Sequence, residues 1–407
     1  MSWLRTICKP IASLKLTVAL FAMSMFLVFA GTLAQQYDGV WTVVDRYFRS
    51  PIVRIPVKIF VPGAFKQPPD ALAFFFPGGL TIGVVLFFNL ITAHIIHFKY
   101  SLKRLGIIIM HFGVILLLAG EFVTGAFARE GNMSIYETSY SNFIEDTRHP
   151  ELAIVRTSDS DETMDDVIVV PDHLLRTSGA SISDDALPVD IHIDEWQSNS
   201  ALSPPIEVSP ERRAELLSRV STGLGQFVAS VRVPTITGVD ASRVDVPACY
   251  VTFYKKGTNF KESLGSYLLS AYFTSEDVQV LDVNGTEYRV SLRFKRVYKP
   301  YEIHLIDFSH DLFVGTKTPR NFSSECRLID RERNVDRTVK IWMNNPLRYR
   351  GETFYQQSYK PNDTGTVLQV VNNPGWLIPY ISCILVAFGM MWHFGIRLST
   401  FVRRQAR

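Results

Sequence analysis

Two histidines lie in apolar surroundings. His111 interrupts the run Leu105-Gly106-Ile107-Ile108-Ile109-Met110-His111-Phe112-Gly113-Val114, and His94 precedes the end of a second apolar run, at Phe98, by four residues. An ionisable side chain in hydrocarbon is costly, so each is a functional candidate by default. At 1.5 Å per residue, His111 falls roughly 9 Å and His94 roughly 6 Å below one membrane edge. A tight basic turn joins the two runs, which makes them antiparallel and places both rings at similar depth. Imidazole nitrogen is a standard axial ligand for haem iron, so the chemistry on offer is haem ligation through His111, with His94 as a possible second ligand. Gly106 and Gly113, at i−5 and i+2, could admit a bulky macrocycle beside His111. The alternative is an interhelical hydrogen bond from either ring, and the residues alone leave both readings open. His97 sits at the interface, where it is solvated or snorkels. Glu121 reads as a helix-end residue reaching the interface.

The elements that must carry these residues are four apolar spans: Leu14–Leu33, Leu80–Phe98, Leu105–Phe127 and Trp376–Phe394. Each is close to the roughly 20 residues that cross a bilayer as a helix. Three crowd the first third and one lies near the end. The division is a three-helix region (1–127) with an outer loop (34–79), a polar domain (128–374), and a last helix with a basic tail (375–407). Arg5, Lys9 and Lys15 precede the first span. Lys99, Lys103 and Arg104 fill the second turn, and Arg397, Arg403, Arg404 and Arg407 follow the fourth span. Basic short loops mark the cytoplasmic side. The expectation is an inner-membrane, multi-pass chain with both termini cytoplasmic and the large domain outside. A cleaved signal peptide over Leu14–Ala34 is the weaker alternative, because the apolar stretch is long for one. Val40, Val43, Val44, Tyr47 and Phe48 recur at helical spacing and predict a helix lying on the membrane surface or packed on the large domain.

The chain has 407 residues, 47% of them hydrophobic, with a mean hydropathy of +0.11. A net charge of +3 offers no nucleic-acid footprint. The lipid bilayer is the expected environment.

The domain between the third and fourth spans reads as mainly β, a sandwich or an open barrel. Asn284-Gly285 between two alternating runs is a strong signal for a two-residue hairpin. Further short runs rich in Val, Ile, Tyr and Phe are bounded by turn residues, among them Leu152–Thr157, Val189–Trp196, Tyr250–Lys255, Tyr301–Phe308, Ser323–Asp330, Val335–Met343, Thr353–Tyr359 and Thr366–Val371. Pro210 and Glu211 open one helix. Ser158–Asp166 and Thr177–Ala186 read as solvated loops. Cys249 and Cys326 are the domain's two cysteines. They form either a disulfide or a pair of buried free thiols, and spacing in sequence does not choose between them. There is no phosphate loop, His-Glu-x-x-His, Cys-x-x-Cys or Gly-x-Ser-x-Gly, so hydrolase and thiol-redox readings are weak, and no catalytic residue is assigned.

Several motifs together resemble the ResB family, the CcsB-type subunit of the System II cytochrome c maturation machinery. They are Ser13-Leu14-Lys15-Leu16-Thr17-Val18 with Gly31-Thr32-Leu33-Ala34-Gln35; Lys299-Pro300-Tyr301-Glu302-Ile303; Asp307-Phe308; Gly315-Thr316-Lys317-Thr318-Pro319; Met343-Asn344-Asn345-Pro346-Leu347-Arg348-Tyr349-Arg350-Gly351; Phe354-Tyr355-Gln356-Gln357-Ser358-Tyr359; and Asn373-Pro374-Gly375-Trp376. The resemblance implies a subunit that helps carry haem b across the membrane and present it for thioether attachment. Its implied partners are a CcsA/ResC-type tryptophan-rich membrane protein, apocytochrome c and a thioredoxin-like thiol reductant. A histidine of the third span is an axial haem ligand in that family, and His111 holds that place. The family's tryptophan-rich motif is missing here, so a synthase step needs a second protein. The alternatives are a membrane electron-transfer subunit with b-type haem between His94 and His111, or a cofactor-free membrane-anchored scaffold.

Overall fold

The computed structural model describes residues 9–61, 63, 68–69, 71–97, 101–157, 164–203, 210–235, 244–274, 277–313, 315 and 319–405. Arg5, Cys8, Pro62, Phe98, Lys99, Ser160, most of Ser158–Asp166, Thr316-Lys317-Thr318 and Arg407 lie outside the described residues. The chain divides into two compact units: Met1–Arg129 with Tyr349–Glu352 and Val371–Arg407, and Glu130–Arg348 with Thr353–Val370.

Four helices of the first unit are long and apolar enough to cross a membrane: α1 (Leu14–Asp38), α2 (Gly79–His97), α3 (Leu105–Phe127) and α4 (Ile378–Gln405). A helix satisfies its backbone internally, which lets it stand in hydrocarbon. Large apolar side chains such as Phe21, Met25, Phe388 and Met391 point outward and uncovered, as a lipid-facing surface allows.

Helices α3 and α4 meet through small residues. Gly106, Gly113 and Gly120 recur every seventh position of α3 and are buried. A Cβ built on Gly106 would lie 2.6 Å from the Gly389 carbonyl oxygen, and one on Gly113 would lie 2.8 Å from Val386 Cγ2. Glycine lets two backbones approach where lipid removes the hydrophobic drive for helix pairing. The expectation that Gly106 and Gly113 make room for a macrocycle is therefore corrected. Their space is filled by α4, and helical spacing puts His111 on a different face of α3.

Helices α1 and α2 are locked by Asn89. Its Oδ1 accepts from Thr17 Oγ1 at 2.7 Å, and its Nδ2 donates to the carbonyls of Ile11 at 2.5 Å and Ser13 at 3.3 Å. The segment predicted as a surface helix is helical over Val40–Val43 and wound into a wider π-turn over Val44–Phe48. The cover expected for its apolar side is corrected: that side packs within the membrane unit. Val43 and Tyr47 are fully buried in a cluster with Leu27, Ala30 and Ala34 of α1. The hairpin Ile52–Pro56 with Ala73–Pro77 joins the same cluster through Val53 and Ile55, and the sequence reading did not foresee it.

The second unit is mainly β. A four-stranded sheet (Ser263–Ser270, Ala248–Lys255, Val189–Gln197, Ser181–Ile182) faces part of a ten-stranded one across a shared core. The two-residue period of a strand puts Val189, Ile191 and Ile193 on one face, where they meet Val251, Phe253, Leu152, Ile154, Val290 and Leu292. This is sandwich packing, and the ten-stranded sheet is open. Eight strands run in the order Val335–Trp342, Pro319–Asp330, Thr286–Leu312, Tyr140–Thr157, Arg129–Tyr136, Gly365–Asn372, Glu352–Tyr359, Leu347–Tyr349, and two more pair off this path, Gln279–Val283 with Thr286–Leu312 and Asp165–Pro171 with Tyr140–Thr157. Asn284 and Gly285 both take positive φ, 55° and 85°, and Val283 pairs with Thr286 across the two-residue turn, as predicted. The runs Thr286–Phe294 and Tyr301–Phe308 merge into one long strand, bent by register shifts after Phe294 and Tyr298. The helix at Pro210–Ser218 forms as expected.

Gly113→Ala should lower the stability of the detergent-solubilised protein by about 1–3 kcal/mol through overpacking. Gly125→Ala, whose added Cβ meets nothing within 4 Å, should be neutral or gain up to about 1 kcal/mol from helix propensity. Thermal unfolding of the two variants side by side checks this; equal effects would contradict the glycine-mediated seam.

Candidate functional site

The site is built where α2 and α3 run past each other. This seam is held lightly compared with the α3–α4 pair, and it carries both histidines. His94 and His111 face each other with ring centroids 6.2 Å apart and planes inclined by 40°. Both are half-buried, whereas His97 is exposed, one helical turn nearer the end of α2. The equal depth expected from the antiparallel turn is thus observed. Glu121 is exposed on α3.

His111 Nδ1 lies 2.8 Å from the carbonyl oxygen of Ile107, one turn back along its own helix. A carbonyl oxygen only accepts, so Nδ1 is the donor and carries the hydrogen. The neutral ring then presents its lone pair at Nε2. A backbone carbonyl holding the distal N–H is a common way to fix the tautomer and aim of a metal-ligating imidazole. Haem suits this donor set, because its macrocycle supplies four nitrogens and asks the protein for only one or two axial ligands. Among the described residues no group of three or more His, Cys, Asp or Glu converges as a bare ion would need. The residues present therefore fit haem better than a bare metal ion.

Two residues in the membrane unit escaped the sequence reading. Asn89 was legible as a polar break in the run Val85-Leu86-Phe87-Phe88-Asn89-Leu90. Its hydrogen bonds to the start of α1 make it a structural tie. His393 lies within the fourth span, and its backbone abuts Gly106 of α3.

In the β unit, Cys249 and Cys326 are free and buried. Cys249 belongs to the four-stranded sheet and Cys326 to the ten-stranded one. Of the two alternatives, the disulfide is not formed: each thiol packs into its own strand environment. Burial pushes both thiols up to about 12. Several motif residues serve the fold. Tyr301 and Phe354 are buried edge-to-face. Gln356 accepts from Ser324 Oγ at 2.7 Å and donates to Thr366 Oγ1 at 2.8 Å, a polar chain through the sheet interior. In the membrane unit, Asn373 joins Thr124 of α3 to the Gly375 N–H at the entry to α4.

Fold and site define a multi-pass membrane protein with a β domain between its third and fourth helices. Residues 264–367, about a quarter of the chain, match the ResB-like family. Protein NrfI of Wolinella succinogenes is 28% identical over 134 residues, which is 33% of this chain and 14% of that protein. The chain thus matches about one seventh of the length of that relative. Over that segment the chain is similar to ResB-like proteins.

With both thiols raised to about 12, almost no thiolate exists near neutrality, and thiolate is the species that reacts. In the folded protein at a pH of about 8, just below the ordinary thiol range, Cys249 and Cys326 should resist alkylation, and both should label after denaturation. Rapid labelling of either in the folded state, read by peptide mass, would contradict their burial.

Proposed function

We propose that this chain is a subunit of a cytochrome c maturation machinery, holding haem b in transit through His111. The observation that carries the reading is the Nδ1–Ile107 hydrogen bond, which fixes the orientation of an imidazole two turns into an otherwise apolar span. The ResB-like match supports the setting. Haem is the cargo, and its iron supplies the Lewis acid that an axial imidazole holds. His111 positions it from one side, the apolar helices shield the porphyrin from water, and a histidine of a CcsA/ResC-type tryptophan-rich partner completes the other side. The β unit docks that partner and apocytochrome c. A thioredoxin-like reductant keeps the substrate thiols reduced. No residue of this chain is assigned to the thiol addition itself, so it is a non-catalytic synthase subunit. In this reading the protein sits in the inner membrane with both termini cytoplasmic and the β unit outside.

One observation favours a second reading. The 6.2 Å spacing of the His94 and His111 rings suits two imidazoles flanking one iron within a single chain, the arrangement of a b-type electron-transfer subunit.

In the complex with its partner, His111→Ala should lower haem content and cytochrome c maturation while membrane insertion is kept. Added imidazole should partly restore both, and His97→Ala should have little effect. A visible spectrum and haem content unchanged by His111→Ala would reduce His111 to helix packing. A severe loss in His94→Ala of the chain purified without its partner would favour the second reading.

For topology, a cysteine placed at Ser221 should react with an impermeant reagent in intact cells, and one at Arg404 should not. Labelling at position 404 would overturn the orientation.

A further inference from the structure

We propose that an open edge of the long strand Thr286–Leu312 is a docking site for an extended acidic peptide, which adds to the sheet as a further strand. This site lies wholly in the β unit and needs no haem.

Backbone N–H and C=O groups inside a sheet are normally paired along both edges of a strand. One edge of Thr286–Leu312 is paired by Tyr140–Thr157, over Arg289–Tyr298 and again at Ile303 and His304. The other edge is shared by two strands that leave a gap between them. Gln279–Val283 pairs with Thr286–Val290, and Pro319–Asp330 begins to pair only at Glu302. Among the described residues no strand pairs with Ser291–Tyr301 on that side. At about 3.3 Å per residue, the gap has room for a strand of ordinary length.

A groove of about 740 Å³ runs along the start of this gap, within the size range of ligand sites. It touches Arg289, Val290, Ser291, Leu292 and Arg293 in succession. Successive side chains of a strand alternate between its faces. A groove that touches five in a row therefore meets the backbone edge and not one face alone. Val290 and Leu292 point into the core, so edge-on contact is how the groove reaches them. Phe273, Thr274, Asp277 and Val278 also line it. They lead into Gln279, where pairing with the long strand begins.

Two features select the occupant. An open edge is a template for another extended chain, through main-chain hydrogen bonds. The second feature is a pair of arginines lining the groove. Arg293 gives only Nε to Glu151, at 3.0 Å, and Arg296 gives only Nε to Glu145, at 3.1 Å. Among the described residues their Nη groups have no hydrogen-bond partner. The Arg296 guanidinium is held over the Phe143 ring at 4.2 Å. The two side chains are 14% and 27% exposed, so a carboxylate that reaches them is partly shielded from water. Charge-assisted bonds of this kind are the strong ones. Val167, Val278 and Tyr298 add exposed apolar surface to the groove. From Arg289 to Lys299 the strand carries Arg289, Arg293, Lys295, Arg296 and Lys299 and no acid, which complements an acidic chain.

The probe is a fluorescein-labelled peptide of alternating glutamate and valine, which as a strand shows carboxylates on one face and methyl groups on the other. With the full-length protein in detergent, fluorescence anisotropy should show saturable binding, and a peptide of alternating lysine and valine should show none. Two further versions carry backbone N-methyl groups, on the glutamates in one and on the valines in the other. Alternate N–H groups of a strand point to opposite edges, so one version should lose binding and the other keep it. Arg293→Gln and Arg296→Gln, with circular dichroism confirming retained β structure, should each weaken binding by roughly 10–100-fold through loss of a charge-assisted hydrogen bond. Lys340→Gln, at an exposed cation of the strand Val335–Trp342, should leave it unchanged. No binding of the glutamate peptide would overturn the proposal and leave Lys295, Lys299 and Pro300 as guards of an unpaired edge. Equal binding of both N-methylated versions would overturn strand addition. A response to the arginine variants no larger than that to Lys340→Gln would overturn the placing of the site.

Discussion

Every polar atom carried into hydrocarbon must find its partner inside the protein, and the membrane unit is organised around that constraint. Three hydroxyls meet it locally. Ser24 donates to the Leu20 carbonyl, Thr32 to Val28 and Ser382 to Ile378, each one turn back along its own helix. Asn89 meets it between helices and thereby fixes α1 against α2. His111 uses the same device, donating to Ile107. Imidazole differs from a hydroxyl in having a second nitrogen on the far side of a rigid ring. Once the first is satisfied by the helix, the second is aimed away from it. A helix-satisfying bond and a ligand-presenting geometry are thus one arrangement.

The two seams of α3 divide the work. Toward α4 the glycine row brings backbones together at van der Waals limits, and nothing can enter there. Toward α2 the packing is lighter and the facing residues are His94 and His111. Lipid offers no hydrophobic drive to close that second seam. A tight α3–α4 pair beside a loose α2–α3 seam gives α3 a fixed side and an open side, with the His111 ring on the open one.

Much of this was legible in the residues. The four spans, the Asn284-Gly285 hairpin, the Pro210 helix and most strands followed from hydrophobic period and turn chemistry, because those signals are local. The equal depth of His94 and His111 followed from a short basic turn joining two spans. What was not legible depended on partners far away in sequence. Gly113 could be read as space but not as space already taken by Ser382 and Val386. The apolar face of Val40–Phe48 was visible, but not that α1 and the hairpin at Ile52–Pro56 cover it. Cys249 and Cys326 could not be assigned, since their sheets are set by long-range pairing. Glu151 and Arg293 are 142 positions apart, and only strand order brings them together.

The central claim is that His111 Nε2 is bonded to haem iron. Replacing that nitrogen by a thioether tests the bond itself, because axial methionine raises the reduction potential of haem relative to axial histidine. In the complex of His111→Met with its tryptophan-rich partner, a redox titration monitored in the visible should show a higher potential together with a changed low-spin spectrum at retained haem content. A potential and spectrum identical to those of the unsubstituted complex would contradict the assignment.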